Sequence, residues 1–349
     1  MPEYAILLNP GHSRVYYESA LALSACELEA AAVRMDAPFS EIKIRDIGGV
    51  SYICFSSAER LNTADVKAVS RLSFTYAIFE LINDRGGECL IPVQKCFDGF
   101  ADPGISAMLK YQGKTNELFT RMMINLAFFA CKTSSDRFRL LDPVSGKGTT
   151  LLEGLAMGFD VAGAEILDKP VHELEVFLKK YLENAKYKHT YKKERISGKN
   201  PAFRAAVHSF EIARTKEEFK TRQGTKSFVA ISGDSRFSDK YWKKNAFDII
   251  IGDLPYGIAH GNVSGGTGKG SPTRNPGELL SECLPAWRAV LKPGGAMALS
   301  WNAFVLPKRE MTGIIKQKGF QILEGGFYDK LEHRVDQAIK RDVVVALKI

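Results

Sequence analysis

From residue 138 onward, short apolar runs alternate with stretches of helical periodicity. The runs cover 138–141, 160–165, 228–232, 247–251 and 296–301, and helical spacing fills 149–157, 170–186 and 276–291. Buried strands joined by helical crossovers predict a parallel sheet covered on both faces. The C-terminal end departs from that rhythm. Residues 307–318 read as a helix, 320–327 as a strand, and 342–347 as a strand reached by a loop too short for a crossover. The last two strands therefore pair antiparallel, and the sheet is expected to be mixed and seven-stranded.

The N-terminal pattern is different. Residues 4–8 read as a strand, 19–35 as a helix, 42–45 and 50–55 as a hairpin around Gly48-Gly49, 64–72 as a helix and 74–81 as a strand. This predicts a small α+β domain over 1–85. A connector rich in Gly, Pro and Asp follows over 86–115, and an amphipathic helix opens the larger domain, 116–349.

Composition narrows the class. Of 349 residues, 45% are hydrophobic and 25% charged, an ordinary globular balance that excludes wholesale disorder and collagen-like repeats. No apolar run approaches the roughly 20 residues of a membrane span. The opening MPEYAILLNP lacks the basic start and apolar stretch of a secretion signal. The six cysteines form no CxxC pair and the six histidines show no metal spacing, so neither a disulfide framework nor a metal site is expected. The cysteines read as small buried residues in a reducing, cytoplasmic setting.

The formal charge of +8 is local. Residues 179–226 hold 14 Lys and Arg against five acids, an excess of nine. Residues 187–226 are too long for a simple connection and form a basic insertion. With Tyr187 and Tyr191 interleaved, it fits phosphate binding with base stacking as well as it fits a solvated helical insertion.

Candidate chemistry falls at strand ends. In Leu141-Asp142-Pro143-Val144-Ser145-Gly146-Lys147-Gly148-Thr149 an apolar strand ends in Asp-Pro, and a Gly-x-Gly turn opens a helix. Such a turn lets backbone approach a ligand, and the helix start offers N–H groups. A P-loop does not fit, because Leu141 stands where its first Gly belongs. The dinucleotide fingerprint does not fit, because Leu151 replaces its third Gly. S-adenosylmethionine (SAM) fits better. Asp142 would accept from its amino group, with Ser145, Gly146 and Gly148 shaping the turn. A turn without ligand is the plain alternative. Glu165 ends the next strand, placed for ribose hydroxyls. Asp234 follows the third strand, placed for the adenine amino group.

The fourth motif is Asp253-Leu254-Pro255-Tyr256, directly after the buried run 247–251. The Asp253 carboxylate and the Leu254 carbonyl form an acceptor pair for the two hydrogens of an exocyclic amino group. Pro255 shapes the turn, and Tyr256 offers a face for stacking an extruded base. A glycine-rich stretch, 261–270, then reads as a lid or as a loop without a role.

Together these features resemble amino-methyltransferases with an [ND]PP[YFW] signature. Gly113-Lys114-Thr115-Asn116-Glu117-Leu118-Phe119-Thr120, DPVSGKGTTLLEGLAMGFDVAGAEI and DLPYG are similar to a narrower group, the THUMP-associated tRNA guanosine 2-amino methyltransferases. The likeness covers about residues 110–349. The first 85 residues more loosely resemble the ferredoxin-like unit of that group. The resemblance implies a Rossmann-like SAM-dependent methyltransferase with a mixed seven-stranded sheet, SAM as methyl donor and tRNA guanosine as acceptor. Three differences stand out: Leu254 replaces the first Pro of the signature, Lys147 lies between the two glycines beside the expected SAM carboxylate, and 86–115 leaves no room for a full THUMP domain. Other acceptors, DNA or ribosomal RNA, stay open, as does a non-catalytic RNA-binding protein.

Overall fold

The computed structural model describes residues 1–9, 14–39, 42–84, 86–97, 99–111, 113–197, 203–255 and 276–349. The first unit runs β1 (Glu3–Leu8), α1 (Arg14–Ala31), β2 (Lys43–Ile47), β3 (Val50–Ser56), α2 (Thr63–Ser70), β4 (Thr75–Asp84) and β5 (Gly87–Val93). All neighbouring strands in its sheet are antiparallel, in the order β2-β3-β1-β4-β5. β5 is a fifth strand that the sequence reading omits. It lies inside the expected 86–115 connector, where an exposed stretch with Gly and Pro looks like a loop but pairs with the edge of β4.

α3 (Ile105–Met108) and α4 (Glu117–Ala130) follow. Asn116 caps α4, its side chain accepting from the backbone N–H of Leu118 and Phe119. α4 is buried on most of its surface because it packs among the strands of the second sheet, α5 and α1. Its Asn125 donates to buried Glu27 of α1 at 2.6 Å and accepts from Arg71 Nε at 2.8 Å. One apolar cluster runs from Ile6 and Leu28 through Phe119 and Ile124 to Leu140 and Val161.

The remaining elements are β6 (Arg139–Asp142), α5 (Thr149–Ala156), β7 (Asp160–Glu165), α6 (Asp168–Asn184), β8 (Lys188–Ser197), β9 (Arg204–Ala213), α7 (Lys216–Thr221), β10 (Lys226–Ser232), α8 (Ser238–Tyr241), β11 (Phe247–Asp253), α9 (Pro276–Val290), β12 (Leu291–Asn302), α10 (Lys308–Gln317), β13 (Phe320–Ile322), β14 (His333–Arg334) and β15 (Lys340–Lys348). They build one sheet in the order β13-β15-β12-β11-β6-β7-β10-β9-β8, with β14 paired to β15. Strands β10, β7, β6, β11 and β12 are parallel, and β15 is antiparallel to β12. This is an α/β fold with a mixed sheet. Among the described residues it has ten strands rather than the expected seven.

Two of the extra strands come from the basic insertion. Most of it is strand rather than helix: β8 and β9 form a hairpin that extends the sheet beyond β10, and only the short α7 is helical. β8 lacks regular apolar alternation, and its strand state comes from pairing with β9. Both tyrosines of the insertion are engaged within the protein. Tyr191 bonds His208, and Tyr187 bonds the Phe100 carbonyl and stacks on Tyr181. Neither is presented for base stacking. His333 is buried. Cys89 is exposed, unlike buried Cys26, Cys54, Cys131 and Cys283.

Candidate active site

The parallel strands place four acids at one rim. Asp142 ends β6, Glu165 ends β7, Asp253 ends β11, and Asp234 follows β10 by two residues. β6 and β11 are adjacent, and chain order reverses between them, so Asp142 and Asp253 flank the topological switch point.

The turn after β6 is built on two left-handed glycines. Gly148 has φ +83°, and an added Cβ would lie 2.5 Å from a Leu174 methyl; Gly146 has φ +50° and open space where a Cβ would sit. Gly148 is therefore required by packing, while Gly146 leaves its backbone approachable. Ser145 donates its N–H to the Ala164 carbonyl, tying the turn to β7. Glu165 accepts from the N–H of Gly146 at 3.1 Å and of Leu167 at 2.9 Å.

Burial pushes the Asp142 carboxyl up to about 7, opposed by hydrogen bonds from Thr150 and the Val144 N–H and reinforced by Asp253 and Glu165. Burial also raises Glu165. Buried acids facing one space make that space favourable for a cation. A ligand with an ammonium and a sulfonium group suits it, and the residues present fit SAM. Ile166 and Leu167, both largely exposed beside Glu165, add apolar surface there. Among the described residues no cluster of acids, His or Cys could hold a metal ion.

Asp234 is committed locally. Arg236 donates to both of its carboxylate oxygens, with Nη2 2.6 Å from Oδ2. An adenine amino group would have to share it. Lys147 is likewise paired, with Glu173 at 2.6 Å, and its Nζ stands 4.9 Å from the Tyr111 ring centre.

Asp253 is held by two hydroxyls. Thr115 Oγ1 donates to Oδ2 and Ser300 Oγ to Oδ1. Ser300 is in register with Asp253 on β12, and its carbonyl accepts the Leu254 N–H at 2.9 Å. Leu254 is 1% exposed and packs in the apolar cluster with Leu280 and Trp301. A buried side chain thus anchors the loop at the position before Pro255. Pro255 is exposed, and Tyr256, His260 and 261–270 lie outside the described residues.

Sequence reading missed Thr115, Ser300 and Tyr111. The Tyr111 hydroxyl lies 2.8 Å from Thr149 Oγ1, and Asp142 and Asp253 are close enough to help burial raise it. The available signals were slight: Ser300 is a lone hydroxyl at the end of an apolar strand, and Thr115 precedes a cap.

No family model and no curated protein matches the chain. Solved structures do match. A putative RNA methyltransferase from Pyrococcus horikoshii is 14% identical, with TM-score 0.38 over 72% of this chain and 93% of its own. A TehB-like SAM-dependent methyltransferase from Corynebacterium glutamicum is 13% identical, with TM-score 0.33 over 62% of this chain and 83% of its own. A precorrin 8W decarboxylase from Methanobacterium thermoautotrophicum is 14% identical, with TM-score 0.37 over 68% and 92%. TM-scores this low leave the fold to stand on its own strand order, and the three proteins carry different activities.

Proposed function

We propose that this chain is a SAM-dependent methyltransferase acting on an exocyclic amino group of a nucleic-acid base, with guanosine in tRNA as the first acceptor to test. The observation that carries the reading is the pairing of Asp253, fixed by two hydroxyls, with buried Asp142 across the switch point. Asp142 and Glu165, with the turn at Ser145, Gly146 and Gly148, would hold SAM, and Asp234 would help once shared with Arg236. When bound, SAM supplies a methyl group on a sulfonium, whose C–S bond breaks as the new N–C bond forms. Thr115 and Ser300 orient the Asp253 carboxylate, which would accept a hydrogen of the amino group. Asp253 and the Leu254 carbonyl would thereby orient the nitrogen lone pair, and Asp253 is the residue to take up the amino proton. Pro255 and Tyr256 would complete the base pocket. The catalytic gain comes from positioning and electrostatics. The local excess of basic residues supports a polyanionic acceptor.

The test is transfer from tritiated SAM to undermodified tRNA, ribosomal RNA and genomic DNA, with nucleoside analysis of the product. Methylguanosine in tRNA, absent with Asp253→Ala, is the expected outcome. Label in another nucleic acid would change the acceptor, and absence of SAM binding would overturn the reading.

A further inference from the structure

The β8–β9 hairpin sorts its charges by face. In-register neighbours share a face of a sheet, and successive residues alternate. Lys193 lies opposite His208, Arg195 opposite Ala206, and Ser197 opposite Arg204. Lys193, Arg195 and Arg204 therefore occupy one face, all exposed, and no acid of the hairpin shares it. Its two acids, Glu194 and Glu211, lie on the other face with Lys188 and Lys192, and Glu194 pairs with Lys192 at 2.8 Å. Of the acids beside the cationic face, Glu175 of α6 is taken by Lys179 at 2.6 Å, His172 and His208, and Asp168 accepts from the Ser232 hydroxyl. Lysines scattered on an edge strand to block aggregation need no such sorting.

The cationic face also lies at the rim of the site. Ala206 is in register with Ser232 on one side and Arg195 on the other. Arg195 thus stands two strand spacings, about 10 Å, from the end of β10, which leads to Asp234. Lys193 and Arg195 follow each other at about 7 Å along β8.

We infer that this face docks the phosphodiester backbone of the RNA whose base enters the site; the inference rests on the reading of the chain as a nucleic-acid methyltransferase. Tyr191 is held by His208, with Lys179 Nζ 3.4 Å over its ring centre, so the face offers charge without a stacking platform. The contact is therefore independent of sequence and sensitive to salt.

The test is fluorescence anisotropy of labelled, unmodified tRNA across salt from about 50 to 200 mM. In the variant K193Q/R195Q/R204Q the slope of log affinity against log salt should flatten by about 2 to 3, close to one per lost phosphate contact. K188Q/K192Q, on the opposite face, should leave the slope unchanged. SAM calorimetry and a thermal melt should match the unaltered chain in both variants. An unchanged slope in the triple variant, equal flattening in the control pair, or no RNA binding by the unaltered chain would overturn the inference. The slope is read without turnover. RNA binding through this face without methyl transfer would overturn the proposed reaction and leave the surface standing.

Discussion

Thr115 and Asp253 lie 138 residues apart, and the Thr115 hydroxyl donates to the Asp253 carboxylate. The bond joins the start of α4 to the end of β11, and Ser300 completes the grip from β12. Thr115→Val keeps the side-chain shape and removes the donor. It should lower kcat about tenfold, the size of one lost charge-assisted hydrogen bond, while the KM for SAM stays put. Thr115→Ser should restore most of the rate. Equal loss in both variants, measured by steady-state kinetics, would mean that Thr115 only packs.

Asp142 makes cofactor binding depend on pH. Its carboxyl is raised from 3.8 to about 7, first by burial. A carboxyl raised on folding contributes stability below its unfolded value, and that contribution is lost as pH rises through its folded value. The ligand-free chain should therefore lose stability between about pH 4 and 7 from this group. A cationic ligand favours the ionised form, so SAM binding in slightly acid solution should release a proton. Calorimetric titrations in two buffers of different ionisation enthalpy would show it, and Asp142→Asn should remove the difference.

The two glycines of the turn should separate stability from binding. Gly148→Ala combines a left-handed backbone with a methyl 2.5 Å from Leu174. A loss of about 2–3 kcal/mol in urea unfolding is expected. Gly146→Ala meets nothing within 4 Å. It should cost only about 1 kcal/mol of backbone strain, yet weaken SAM binding by placing a methyl on the ligand side.

Asn125→Ala tests the contact between the N-terminal unit and α4. It strips a donor from buried Glu27 and an acceptor from half-buried Arg71, both ionisable. Loss of about 3 kcal/mol is expected in denaturant unfolding. Burial already raises the Glu27 carboxyl, so the ionised group loses stability as pH rises past the ordinary carboxylate range. The defect should be smaller in acid, and equal defects at both pH values would assign it to packing alone.

The parallel strands were legible because each is a short run of buried residues bounded by turn residues, as in Phe247–Asp253. β8, Lys188–Ser197, was not. Seven of its ten residues are exposed, and an edge strand of this kind is defined by its partner rather than its own periodicity. β5 was hidden for the same reason. His333 gave no signal of burial, because what covers it, including the Phe119 ring 5.3 Å away, comes from a distant helix.

The sequence by itself determined the order of strands and helices and which acids stand at strand ends, because those follow from local periodicity and turn chemistry. Tertiary structure alone decided what those acids meet. It gave Asp253 two hydroxyls, gave Asp234 a guanidinium and left Asp142 buried beside Glu165. It also placed Lys193, Arg195 and Arg204 on one face, away from Glu194 and Glu211. The physical reason is register: a slip of one residue would exchange the two faces of a strand, and register exists only once the strands have paired.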